Sequence, residues 1–291
     1  NSLSMISNVF LTLTRSMASG SRILEIIDEE VDITDREAED YDVKCGEIEF
    51  DHVYFRYRKD APEDVLTDIS LTISAGSTFG IIGQTGSAKS TLIQLIPRLY
   101  DATRGEVRID GIPVRKYPME HLRDAIAVVL QKNTLFSGTL LENLRWGKED
   151  AAMEEIKKAC RIACADEFID RLADGYETEM GQGGVNVSGG QKQRICIARA
   201  ILKQPKVLIL DDSTSAVDTA TEARIRTMLK EELPEMTKII IAQRISSVRH
   251  ADQILILDDG RVSDIGTHEE LLARNKIYQE IYESQKEGAE L

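Results

Sequence analysis

The tightest constraint on this chain is the stretch Gly83-Gln84-Thr85-Gly86-Ser87-Ala88-Lys89-Ser90, continued by Thr91 and Leu92. An apolar run, Phe79-Gly80-Ile81-Ile82, leads in, and Leu92-Ile93-Gln94-Leu95-Ile96 leads out at helical spacing. A buried strand, a glycine-rich turn and a helix start therefore follow one another, the setting in which this spacing cradles phosphate. Glycines let the backbone curl so that its N–H groups face phosphate oxygens. The helix N-terminus adds partial positive charge and Lys89 a full one. The Ser90 hydroxyl is placed to ligate Mg²⁺. Ala88 stands where the pattern has glycine, so it needs a conformation open to L-residues or accepts modest strain.

The background is that of an ordinary globular protein: 42% hydrophobic and 30% charged residues over 291 positions, enough for one large domain or two small ones. A net charge of −14 argues against a general nucleic-acid binder, because phosphate backbones reward basic surfaces. It leaves room for a nucleotide held at a local positive site. None of the four cysteines lies in a CxxC pair. Cys160 and Cys164 have the spacing of one helix face, which without further ligands reads as packing, and the usage suits a reducing cytoplasm. No apolar run has the length of a membrane span and no signal peptide opens the sequence, so a soluble chain is expected.

Residues 1–30 read as a helix, with Ile6, Val9, Phe10, Leu13 and Met17 at three- and four-residue steps. Asp28 to Asp42 is acidic and reads as a linker. Strand-like alternation over Ile48 to Tyr57, then Val65 to Ile73, predicts an antiparallel β subdomain ahead of an α/β core. Tyr57 is the aromatic placed to stack on an adenine ring. Ile126 to Leu130 predicts a buried strand ending at Gln131, whose amide is placed to sense Mg²⁺ and an attacking water. The region from about 132 to 187 reads as a helical lobe without strands. Ser188-Gly189-Gly190-Gln191 then opens a strong helix, a second anion-binding arrangement. Two phosphate cradles in one chain imply a sandwiched nucleotide. Val207 to Leu210 predicts a central parallel strand ending in Asp211 and Asp212, with its terminal carboxylate positioned for Mg²⁺. Lys238 to Gln243 and Gln253 to Leu257 predict further buried strands, Asp258-Asp259-Gly260 a hairpin turn, and Thr267 the start of a final helical region.

The order of these pieces resembles the nucleotide-binding domain of an ATP-binding-cassette (ABC) transporter from about Gly46 to the end. Tyr57 matches the adenine-stacking position, Gly83 to Ser90 the Walker A loop and Gln131 the Q-loop. Val187 to Gln191 matches the family signature, Val207 to Asp211 Walker B, and Ser215 to Asp218 the D-loop. The loop from Thr178 to Gly184 and the N-terminal helix resemble exporter features, the helix matching the end of a last membrane helix. The resemblance thus implies an α/β P-loop NTPase core with a mainly parallel sheet, an antiparallel β subdomain and an inserted helical subdomain. Residues 1–45 would be extension and linker and 46–291 the nucleotide-binding domain. It further implies ATP and Mg²⁺ as cofactors, with Ser90, Gln131 and Asp211 at the metal. The site would lie at the cytoplasmic face of a membrane, beside the membrane domain of a longer polypeptide.

Departures from the family pattern sharpen the expectation. Asp212 stands where the family has a glutamate that polarises the attacking water, one methylene shorter. Gln243 stands where it has a histidine at the γ-phosphate, and cannot carry charge. Ala88, and Gln182 where many exporters have glutamate, point the same way. Misplacing a catalytic group by about 1 Å costs on the order of 10²-fold in rate. The expected chain binds Mg-ATP well and hydrolyses it poorly, with Asp212, Gln243 and Gln131 as its catalytic set. It would be half of a heterodimeric multidrug- or peptide-type exporter, its signature completing the partner's site. A homodimeric ATPase using Asp212 as a weak base, a soluble non-transport cassette protein and a nucleotide-sensing module remain the alternatives.

Overall fold

The computed structural model describes residues 2–29, 31–58, 60–212 and 216–287. Contacts divide the chain into Asn1–Thr34 and Asp35–Leu291. The first unit is a helix, α1 (Ser2–Ile27), and none of its side chains is buried. The expected linker and the expected boundary at residue 45 differ from this division, because residues 35–45 are bound into the second unit.

In chain order the second unit begins with β1 (Ile48–Phe55), β2 (Leu66–Ile73), β3 (Thr78–Ile82), α2 (Lys89–Gln94), β4 (Arg104–Ile109), β5 (Ile112–Pro113), α3 (Met119–Asp124) and β6 (Ile126–Val129). A lobe follows: β7 (Gly138–Thr139), α4 (Leu140–Arg145), α5 (Met153–Ile162), α6 (Asp166–Ile169) and β8 (Glu179–Met180). The remainder is α7 (Gly189–Leu202), β9 (Val207–Asp211), α8 (Thr219–Glu232), β10 (Thr237–Ile241), α9 (Ile245–Val248), β11 (Gln253–Asp258), β12 (Arg261–Gly266), α10 (His268–Arg274) and α11 (Lys276–Glu287).

Two larger sheets result. The antiparallel one runs β2-β1-β4-β5, and the other runs β12-β11-β3-β10-β9-β6, parallel except for the β12 edge. The continuous apolar runs of the parallel strands follow from burial on both faces. Val207, Ile209, Ile239 and Ile241 pack toward the antiparallel sheet and α2, while Leu208, Leu210 and Ile240 pack toward the helical side. The mainly parallel P-loop architecture with an antiparallel subdomain and a helical insert is thus the observed fold.

The lobe departs from expectation in one respect. Gly138 pairs with Met180 and Thr139 with Glu179, an antiparallel ribbon that ties its two ends. Strands this short show no periodicity, which is why the sequence does not reveal them. Thr139 and Glu142 form a capping box at the start of α4. Cys160 and Cys164 are buried among apolar neighbours, and burial pushes the Cys160 thiol up to about 12. They pack the lobe's interior.

The segment ahead of β1 is strapped down by Asp110, in the turn between β4 and β5. Its Oδ2 accepts from the N–H groups of Lys44 (2.7 Å) and Cys45 (3.0 Å), and its Oδ1 from Gly46 (2.8 Å) and Glu47 (3.0 Å). Glu37 pairs with Arg115, Glu39 with Lys116 and Asp42 with His121 along the same strap. Hydrogen bonds to a charged acceptor are individually worth about 1.5–3 kcal/mol. Replacing Asp110 with alanine should therefore lower unfolding stability by roughly 2–3 kcal/mol and accelerate hydrogen exchange of the 44–47 amides. Chemical denaturation with exchange mass spectrometry checks both.

Candidate functional site

The loop after β3 is held by contact that only glycine allows. A Cβ on Gly83 would lie 2.2 Å from the Leu257 carbonyl oxygen and 2.6 Å from Ser87 Oγ. Gly86 has φ +89° with open space around it, so its conformation and not crowding calls for glycine. Ala88 caps α2 at φ 71°, ψ 22°, in the left-handed region. Of the two outcomes expected for it, the strained one is observed. Gln84 and Thr85 lie exposed at the loop's rim, and Ser87 is buried beneath it. Lys89 Nζ curls back over the loop and donates to the carbonyls of Gly83 and Gln84, both at 2.8 Å. Burial lowers its pKa, while Asp211 and Asp212 favour its charged form. An ammonium held by two neutral carbonyls inside a loop is well matched to an incoming polyanion.

Parallel pairing sets the carboxylates beside this loop. β10 lies between β3 and β9, with Ile241 paired to Ile81 on one side and Asp211 on the other. Ser90 Oγ donates to Asp211 Oδ2 at 3.0 Å, joining the two residues expected at a metal. A hydroxyl beside a carboxylate is an oxygen donor set suited to Mg²⁺, which keeps water and phosphate oxygens for its remaining positions. Among the described residues no group of three or more His, Cys, Asp or Glu side chains has the arrangement to hold a metal ion by itself.

Asp212 is the meeting point of the expected catalytic set. Its Oδ2 accepts from Gln131 Nε2 at 2.9 Å and from Gln243 Nε2 at 3.0 Å, and its N–H donates to the Ile241 carbonyl at 2.9 Å. Its φ of 46° is left-handed, a conformation aspartate tolerates better than most side chains. Burial is the main reason its carboxyl is pushed above the ordinary range, opposed chiefly by the Gln131 hydrogen bond. The Asp211 carboxyl is raised by burial too, against the Ser90 bond and Lys89.

Tyr57 stands at the rim of the loop, half exposed, beyond the end of β1. Its hydroxyl lies 2.9 Å from Thr91 Oγ1, and its ring packs edge-on against Phe55 and Tyr100. Thr91 thus braces this aromatic platform, a link that no sequence spacing announces. The signature sits elsewhere. Ser188 and Gln191 form a capping box at the start of α7, with Gln191 N–H to Ser188 Oγ at 3.3 Å and Ser188 N–H to Gln191 Oε1 at 2.8 Å. Gly189 and Gly190 run beside Ala216, where a Cβ on Gly190 would lie 2.8 Å from the Ala216 carbonyl oxygen. Gln193 Oε1 accepts from Ala216 N–H at 3.1 Å, another tie absent from the sequence reading. Among the described residues no hydrogen bond joins the signature to the loop of residues 83–90. Ser215 of the expected D-loop and the Gln182 side chain lie outside the described residues.

Residues 66–215 match the family model described as ABC transporter, and the chain belongs to that family. It is 47% identical over 290 residues to the "Uncharacterized ABC transporter ATP-binding protein YfiB" of Bacillus subtilis (strain 168), spanning 99% of this chain and 50% of that protein. It is 44% identical over 243 residues to the ATP-dependent lipid A-core flippase of Legionella pneumophila (strain Paris), spanning 84% of this chain and 41% of that protein. Its fold is similar to that of a bacterial Atm1-family ABC exporter with ATP bound, at a TM-score of 0.87 and 35% identity over 97% of this chain and 49% of that one. The chain spans about half the length of the relatives it matches.

Two outcomes follow from the strained and buried groups. Ala88→Gly relieves the left-handed alanine, offset in part by the freer unfolded chain, and should raise stability by about 1 kcal/mol with nucleotide binding retained. Thermal unfolding with a fluorescent ATP analogue checks this. Asp212→Asn removes a carboxyl whose folded pKa is raised, while keeping an oxygen acceptor for both glutamine amides. A raised carboxyl destabilises the fold at pH values above its folded pKa, and this penalty fades as pH falls toward the unfolded value of about 3.9. The variant should therefore melt higher at pH 7, with the gain shrinking toward pH 4. A pH series of melting curves tests the sign.

Proposed function

We propose that this chain is the ATP-binding domain of an exporter, that it holds Mg-ATP at the interface of a sandwich dimer, and that its own site hydrolyses ATP slowly. The observation that carries the last point is Asp212 Oδ2, which accepts from two neutral amides, Gln131 and Gln243. The short carboxylate is engaged by an amide from each flanking strand end, and position 243 carries a neutral side chain where the family has histidine.

In this reading Tyr57 stacks on the adenine, and residues 83–91 enclose the phosphates with Lys89 turning from the loop carbonyls to the outer phosphate oxygens. Ser90 and Asp211 hold Mg²⁺ with Gln131 nearby. Bound Mg-ATP supplies an electrophilic γ-phosphorus with its charge partly neutralised by the metal. Asp212 takes the proton of the attacking water, and Gln131 and Gln243 orient that water and the carboxylate. Ser188, Gly189, Gly190 and Gln191 cap the nucleotide of a second half-transporter, so the intact signature serves the partner's site. Leu130, Phe136 and Trp146 form an exposed apolar patch next to Gln131, with the two rings stacked at 4.4 Å. An apolar patch of this kind fits the membrane domain of the same longer polypeptide. A homodimeric ATPase is the second reading. It is favoured by the raised Asp212 carboxyl, since greater basicity suits a general base.

ATP binding and turnover measured over a range of protein concentrations separate the two. The expected result is tight binding with near-background turnover, and turnover rising with the square of concentration in the Asp212→Glu, Gln243→His double variant. The gain should be on the order of 10²-fold. The glutamate should cost about 1 kcal/mol of stability in a left-handed position. Second-order turnover by the native chain would sink the slow-site reading and leave the homodimer.

A further inference from the structure

Gln285 lies near the end of α11 and makes a two-point contact with the turn between β10 and α9. Its Nε2 donates to the Gln243 carbonyl oxygen at 2.7 Å, and its Oε1 accepts from the Ile245 N–H at 2.9 Å. The turn so gripped is the one whose Gln243 side chain reaches Asp212. On its other side the turn is fixed by the Ala242 N–H donating to the Ile81 carbonyl at 3.2 Å. One carboxamide of α11 thus spans the residue between two backbone groups and holds Gln243 from behind.

The helix that carries it is a firm post. Tyr278 is fully buried, its hydroxyl lies 2.8 Å from His268 Nδ1, and its N–H donates to Asn275 Oδ1 at 2.9 Å. Gln279 Nε2 donates to the Leu272 carbonyl at 2.7 Å, tying α11 to α10. Ile281 and Tyr282 pack against the helical-side core. The contact also demands glutamine in particular. It needs a donor and an acceptor on one planar group, whereas glutamate would set a carboxylate against a carbonyl and leucine would supply neither.

We propose that Gln285 is a positioning residue for the γ-phosphate end of the site, with α11 setting where the side chain at position 243 stands relative to Asp212. The proposal rests on the reading of residues 212 and 243 as the groups that face the γ-phosphate. Position matters there on the scale of an ångström, and the hydrogen bonds of Gln285 go to residues 243 and 245 and not to the loop of residues 83–90. Its effect therefore falls on turnover and leaves nucleotide affinity alone.

The test uses Gln285→Leu and Gln285→Glu in this chain and in the Asp212→Glu, Gln243→His background. The first readout is the side-chain amide resonance of Gln243 in the chain that retains it, together with hydrogen exchange of the Ile245 amide. Both should move in Gln285→Leu, with exchange faster by about fivefold for one lost hydrogen bond. The second is the kinetic split in the activated background, where kcat should fall by on the order of 10- to 100-fold with KM for ATP unchanged. Gln285→Glu keeps an acceptor for Ile245 and should restore its amide protection without restoring the Gln243 resonance. An unmoved Gln243 resonance in Gln285→Leu overturns the proposal. So does a parallel loss of affinity, turnover and melting temperature, which marks a general structural role. If the double variant gains no turnover even with Gln285 intact, the slow-site reading fails by itself, and the Gln243 resonance still decides the positioning.

Discussion

Everything at the candidate site hangs on parallel strand pairing in a fixed register. Ile81, Ile241 and Asp211 lie side by side, and Val129 pairs with Leu210. The residues that follow these strands, Gly83, Gln243, Asp212 and Gln131, consequently emerge at one edge. A sheet buried on both faces gains little register information from its apolar pattern, because a slip by one residue exchanges one apolar face for another. The charged strand end supplies what the pattern lacks. Drawing Asp211 inward would bury a carboxylate without compensation, which costs far more than a misplaced valine.

Local strain and unfavourable ionisation are both present at this edge. Ala88 and Asp212 are both left-handed, Gly83 touches a neighbouring carbonyl, and the two carboxyls and Lys89 are shifted against their charged forms by burial. Strain of this kind is tolerated where the surrounding fold over-determines the geometry, and beside a phosphate-type loop it is compatible with action on a ligand. Asp212 shows how closely these matters are joined. The shorter acid is the one that sits comfortably in a left-handed turn, so the conformation and the departure from the family's glutamate agree.

The parts legible in the sequence are those encoded by neighbours in the chain. Strand, glycine loop and helix around Lys89, the apolar strand ending in Asp211, and the Ser188 cap of α7 each carry their own local pattern. What stayed hidden depends on backbone groups far away in sequence. Asp110 strapping residues 44–47, Thr91 bracing Tyr57, Gln193 holding Ala216 and Gln285 gripping the Gln243 turn are all side chains whose partner is revealed only by folding. The β7–β8 ribbon was illegible for another reason, since two-residue strands have no period. The strap also shifted the division of the chain, because an acidic run reads as linker until its basic partners at positions 115, 116 and 121 are placed beside it.

Trp146 is the only tryptophan of the chain, largely exposed and stacked on Phe136 at the mouth of the apolar patch beside Gln131. Indole emission depends on solvent polarity and on neighbouring rings. The indole emission of this chain, excited at wavelengths where tyrosine absorbs little, therefore originates from one surface location, and its wavelength reads out whether water or another polypeptide covers that location. The chain carries its own optical probe of the face next to the strand that ends at Gln131, with no label to add.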